Sequence, residues 1–274
     1  MIDPTILIVT ATALAAAAIS QGRGFLRLRW QPDRHTAAAV GVGLLAVVFS
    51  TAALATPQAS FAYEFILWIL IFGVCGFALP WAYVLLIERA TPAALGVHRD
   101  RWAVSLLVSL LFASGSVYSM LQKTDLSQFE TAHLVGTALS LNVGGLFEAF
   151  LYCGFIHLRL RDAFGPLPAI FGAAAIYSLW HIGTELPLHA DPLAALGMLF
   201  VIGVLCQAIF ATTYNVLAVW PIFFTAGVMH DFVVNLGLPD EIGTSLGWPL
   251  LGWFLAIAVP WSLWRHSQRG VPVG

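Results

Sequence analysis

Nine apolar runs, each near the length that crosses a bilayer, make up most of the chain: about 4–20, 36–56, 61–87, 102–121, 134–158, 168–186, 193–213, 216–237 and 248–264. A hydrocarbon core of about 30 Å takes about 20 residues of α-helix. Inside it every peptide group must be bonded within its own segment, so runs like these fold as helices. Only 9% of the 274 residues are charged, against about 25% in a soluble domain, too few to coat a water-facing surface. The expected fold class is all-α, a polytopic integral membrane helical bundle of about 8–9 transmembrane helices. One domain over 1–274 is the simplest organisation, since no repeat, linker or heptad pattern interrupts it. The first run follows Asp3 and no basic residue, unlike a secretory signal, and reads as a retained span.

The loops then orient the spans, because Lys and Arg collect on the cytoplasmic side. Loop 21–35 holds Arg23, Arg27, Arg29 and Arg34; loop 88–101 holds Arg89, Arg99 and Arg101; loop 159–167 holds Arg159 and Arg161; the tail holds Arg265 and Arg269. With nine spans all of these face one side, leaving Lys123 for the other, where Asp125, Glu130, Glu185, Asp191, Asp240 and Glu241 also fall. The N-terminus is expected outside and the C-terminus in the cytoplasm. The uncharged junction Thr213–Asn215 is the point on which this alternation depends. A net charge of −2 gives a polyanion nothing to hold, so nucleic acid is not an expected partner. Cys75, Cys153 and Cys206 all lie in apolar runs and imply no disulfide framework.

Ionisable groups inside a span cost roughly 2.5–3.5 kcal/mol on insertion scales for Asp, so they need a partner or a task. Here they are Glu64, Glu148, His181, His230 and Asp231, with Asn142 and Asn235 as neutral companions. Counted from the cytoplasmic ends of the expected spans, Glu148 lies roughly 15 Å deep and His181 and His230 roughly 20 Å deep. Three groups from three helices thus share one level near the bilayer centre. Glu64 reads as reaching the headgroups, and His133 and His157 as interfacial. His181, Glu185 and His189 recur at i, i+4 and i+8, a metal-binding spacing on a helix, but Pro187 interrupts it.

Three short stretches carry a resemblance: Glu148-Ala149-Phe150-Leu151-Tyr152-Cys153, then Tyr177-Ser178-Leu179-Trp180-His181, then His230-Asp231-Phe232-Val233-Val234-Asn235. They resemble the motifs EExxxR, FxxxH and HxxxN of the CPBP family, the CAAX-protease and bacteriocin-processing intramembrane endopeptidases. The resemblance marks 134–240 as a CPBP-like core, preceded by spans 1–133 without quotable likeness and followed by a last span and tail at 241–274. It implies that Glu148 activates a water, and that His181 and His230 orient it and stabilise the oxyanion. The first and third motifs are degenerate: Ala149 replaces the second Glu, Cys153 the Arg, and Val234 stands where Asn is expected, with Asn235 one residue later. Asp231 and Asn235 are the supporting polar candidates.

The function expected is an intramembrane endopeptidase cleaving a peptide or protein terminus at the membrane, with no cofactor. The alternatives are a catalytically inactive CPBP-like scaffold that binds a membrane partner, a proton-coupled transporter using Glu148 and Asp231, and a metal-dependent membrane enzyme. Glu148, His181, His230 and Asp231 would suit zinc or iron as that metal set. The expected partners are the lipid bilayer and a membrane-associated peptide or protein substrate. The alanine-rich, compact chain points to a bacterial inner membrane.

Overall fold

The computed structural model describes residues 4–57, 60–123, 125, 127, 129–184, 190–229 and 247–269. Nine helices follow one another among them and no strand forms: α1 (Pro4–Gln21), α2 (Arg34–Ala53), α3 (Phe61–Ile87), α4 (Trp102–Lys123), α5 (131–164), α6 (Pro166–Trp180), α7 (Pro192–Thr213), α8 (Trp220–Met229) and α9 (Gly247–Arg269). The protein is an all-helical integral membrane chain. Six segments are long and apolar enough to cross a bilayer: Pro4–Gly24, Arg34–Ala53, Phe61–Ile87, Trp102–Gln122, Leu134–Phe164 and Pro192–Thr213. Two shorter apolar helices, Pro166–Trp180 and Val216–Thr225, fall below that length.

α5 is the axis of the bundle. Along Ala149–His157 its backbone leaves the usual i→i+4 ladder for wider i→i+5 turns, and every side chain there except Phe150 is buried. α6 and α8 pack along it, α9 and α3 flank it, and α1 and α6 both lie against α7. α3 likewise runs through wider turns over Phe65–Ala78.

Two helix ends fix the frame around the later site. At Gly165, φ is +98°, a backbone open to glycine at little cost. A Cβ there would also run into the Arg27 carbonyl. The chain therefore turns in one residue from α5 into Pro166 at the start of α6. The extended segment beside it donates Arg29 N–H to Phe164 O (3.0 Å) and Gln31 N–H to Ala163 O (2.9 Å), satisfying carbonyls that a helix end leaves without partners. The second end is that of α7, where Tyr214 takes φ +54° and stops the helix. Asn215 holds the break by donating its side-chain amide to His98 O (2.8 Å) and accepting Leu217 N–H (3.2 Å). The uncharged junction 213–215 is thus a true helix break.

Three expectations need correction. The run 134–158 does not end at 158: α5 continues to Phe164, so Arg159 is a helix residue, 7% exposed. The run 168–186 ends early, at Trp180, because Ser50 of α2 caps it from the side. His157 is not interfacial but fully buried, its Nδ1 paired with Gln207 Oε1 at 2.9 Å and its ring edge-on to Phe210.

Candidate active site

Glu148 stands where the turns of α5 begin to widen, and His181 is the first residue past the end of α6. Their side chains meet, with His181 Nε2 3.7 Å from Glu148 Oε1 and side-chain exposures of 7% and 13%. The depth agreement seen in the sequence is therefore real for this pair, but it arises differently. α6 is only 15 residues long, about 22 Å, and its C-terminal end, not its middle, reaches the level of Glu148.

Four last carbonyls of α6 would be orphaned by that early stop, and each has a partner. Tyr177 O faces His181 Nδ1 at 3.0 Å; Ser178 O accepts His181 N–H at 3.3 Å; Leu179 O accepts Ile182 N–H at 3.2 Å; Trp180 O accepts the Ser50 hydroxyl. Ser50, fully buried, also accepts Gly183 N–H at 3.0 Å. One serine on α2 thus closes the helix and anchors the turn that carries the imidazole. Gly183 is needed because a Cβ would meet the Ser50 backbone.

The Tyr177 carbonyl can only accept, so Nδ1 of His181 carries the proton of the neutral ring and Nε2 turns its lone pair toward Glu148. The 3.7 Å separation exceeds a direct hydrogen bond. It suits one small group that gives a hydrogen to each side. Aromatic rings wall the pair: Tyr177 lies 4.7 Å from the imidazole, Tyr152 5.5 Å from Tyr177, and Phe147 5.3 Å from Trp180. That wall lowers the local dielectric and strengthens charge interactions inside it.

Residues 128–229 match the family model described as Type II CAAX prenyl endopeptidase Rce1-like. The matched segment, less than half of the chain, is similar to membrane proteases of the CPBP type. It contains α5, α6, α7 and α8 and therefore both members of the Glu148–His181 pair. No curated protein and no solved structure matches the chain.

The Rce1-like segment ends one residue before His230. His230, Asp231 and Asn235, with Glu185 and His189, lie outside the described residues. Of the triplet His181, Glu185 and His189, His181 stands just past the end of α6, and the other two lie outside the described residues. Among the described residues no group of three or more His, Cys, Asp or Glu could hold a metal ion. Ala149 and Cys153, which stand in place of the motif Glu and Arg, are both fully buried. Glu64 is half-buried near the start of α3, away from this cluster in sequence.

Sequence reasoning missed two polar pairs. Arg159 donates to Glu88 Oε2 (2.6 Å), Glu88 Oε1 (3.2 Å) and Ala94 O (2.8 Å), binding α5 to the end of α3. The His157–Gln207 pair ties α5 to α7. A lone Gln207 in an otherwise apolar run was the available signal for the second.

Proposed function

We propose that this chain is a glutamate-dependent intramembrane endopeptidase that cleaves a peptide or protein terminus at the membrane. The observation that carries the reading is the buried approach of His181 Nε2 to Glu148 Oε1, with the imidazole tautomer set by Tyr177 O. A water held between these atoms donates one hydrogen to each, leaving its oxygen lone pair free for the scissile carbonyl. Glu148 takes the proton as the oxygen attacks; the two histidines share the remaining work, His181 orienting the water through Nε2 and His230 donating to the oxyanion. The proton then passes to the leaving amine, so two products and an unchanged carboxylate remain. No metal is used in this reading. We place the protein in a bacterial inner membrane with its N-terminus outside and its arginine-rich loops in the cytoplasm.

The test is to express Glu148→Gln, His181→Ala and His230→Ala in the native cell and to score altered peptide termini by mass spectrometry. General-base loss lowers rate by about 10²–10⁴-fold, so each variant is expected to block the same cleavage at normal protein level. Unaltered termini in all three would sink the peptidase reading.

The buried Ala149 and Cys153 favour a second reading, a scaffold that binds a membrane partner without cleaving it. It predicts that Glu148→Gln is tolerated and that a partner chain co-purifies after detergent extraction. A solitary, monodisperse protein removes that reading.

A further inference from the structure

Loops far apart in sequence close together around a cavity of about 800 Å³ at the arginine-rich end of the bundle. It is lined by Arg34, Arg101, Arg159 and Arg161 and by His35 and His98, with Asp33, Glu88 and Asp162 among its walls. It lies well away from Glu148, since Arg159 is eleven residues further along α5, roughly 15 Å.

The three carboxylates are already engaged. Asp33 caps α2, accepting from His35 N (3.0 Å), Thr36 N (2.9 Å) and Thr36 Oγ1 (2.9 Å). Glu88 holds Arg159 and lies 3.2 Å from His35 Nδ1. Asp162 holds Arg161, which also stacks 4.6 Å over Tyr214. Arg34 and Arg101 are left over. Arg101 gives one nitrogen to Thr213 O (3.0 Å) and only grazes the exposed Asp100 at 3.9 Å. The exposed Arg34 guanidinium has no hydrogen bond or ion pair among the described residues. Arg34, without an ion pair among the described residues, and Arg101, held only by a long, exposed pair to Asp100, stand beside two imidazoles and make a pocket for an anion with several oxygens, which guanidinium groups bind as a fork.

The lip of the cavity says where that anion comes from. Between α1 and α2 the segment Leu26-Arg27-Leu28-Arg29-Trp30 leaves a turn at Leu26, runs outside any helix and is exposed throughout, alternating apolar and cationic side chains. Leu26, Leu28 and Trp30 are 70%, 71% and 80% exposed, while Arg27 and Arg29 supply charge between them. Backbone bonds clamp this strip to the end of α5, and Trp30 packs on Phe164 at 5.1 Å. Exposed leucines and a tryptophan interleaved with arginines, level with the ends of membrane-spanning helices, fit the boundary between acyl chains and anionic headgroups.

We infer that this cavity binds the phosphate of an anionic membrane lipid, with Arg34 and Arg101 as the phosphate ligands and the Leu26–Trp30 strip seated among the neighbouring acyl chains. The inference does not depend on the peptidase reading. Each arginine near a membrane surface contributes roughly fivefold in affinity for anionic lipid, so removing both should abolish most of the selectivity.

The experiment compares unfolding temperatures of the full-length protein in phosphatidylcholine nanodiscs, with and without one part in five phosphatidylglycerol, and in pure phosphatidylcholine with glycerol 3-phosphate added. Phosphatidylglycerol should raise the Tm by a few degrees in the wild type, as a ligand of the native state does. The shift should persist in Arg23→Gln, an arginine outside the cavity, shrink in Arg34→Gln, and vanish in Arg34→Gln/Arg101→Gln. Arg34→Gln alters an exposed side chain without a partner, so it tests the site even where the double variant fails to fold. Equal Tm values in both lipids, or a full shift in Arg34→Gln, overturn the inference. A full shift with glycerol 3-phosphate alone assigns the pocket to a soluble phosphate and overturns the lipid assignment.

Discussion

Replacing Gly183 with alanine tests how the imidazole is held. The added Cβ would lie 2.5 Å from the Ser50 carbonyl carbon and 2.9 Å from Ser50 Oγ, and closer still to the Ser50 carbonyl oxygen. Carbon atoms rest at about 3.5 Å or more, so the turn after α6 and the backbone of α2 must part by more than about 1 Å. Overpacking of this kind costs about 1–3 kcal/mol in stability. The larger effect is on rate, because His181 sits two residues earlier on the same turn and a misplacement of about 1 Å can lower turnover about 100-fold. Ser50→Ala reaches the same turn by another route: it strips the partner from Trp180 O and Gly183 N–H, at roughly 1–3 kcal/mol for each buried group left unsatisfied. The assay is cleavage rate in native membranes beside the Tm of purified protein. Wild-type rate and stability in Gly183→Ala would refute the clamp.

Other outcomes follow from single contacts. Arg159→Leu should destabilise by about 3 kcal/mol, because Glu88 loses its guanidinium partner and keeps only His35 beside it; Glu88→Leu added to it should recover much of the loss, read as denaturant midpoints in mixed micelles. Thr36 N–H and hydroxyl, with His35 nearby, hold the Asp33 carboxyl below its ordinary range. That stabilisation is complete above the ordinary carboxylate value and is lost as pH falls through the lowered one, so Asp33→Asn, a cap that does not titrate, should flatten the acid limb of a Tm-against-pH curve. Cleavage should survive a strong chelator at unchanged rate; abolition restored by added zinc or iron would replace the general-base mechanism with a metal site.

Much of the fold was legible because charge punctuates the apolar runs. Arginines and carboxylates mark most of the loops, so the order of helices could be read directly; the break at 213–215 carries no charge and was signalled only by the length of the apolar stretch around it. Helix lengths were less legible. α5 outruns its apolar run because Arg159 is paired by Glu88 from 71 residues away, and a helix can carry a charge inward once its partner arrives. α6 falls short because its stop signal, Ser50, lies on α2 and has no counterpart in the local sequence. The pairing of Glu148 with His181 was foreseen from depth counting and motif spacing together. The tautomer of His181 was not, since it depends on the Tyr177 carbonyl. His157 was misread for want of Gln207, 50 residues further along.

The single-residue turn at Gly165 bears on how the chain is made. α5 and α6 form a hairpin of neighbours, and with α2 already synthesised, the approach of His181 to Glu148 and the bonds that hold its turn to Tyr177, Ser178 and Ser50 all come from chain that precedes residue 185. Membrane segments leave the ribosome in order, and early units assemble first. The Glu148–His181 pair can therefore form before α7 begins, while His230 emerges some 45 residues later. Under the proposed peptidase function, a nascent chain stalled after α6 would hold its carboxylate and imidazole together but lack its second histidine, and cleavage would wait until the last helices enter the bilayer.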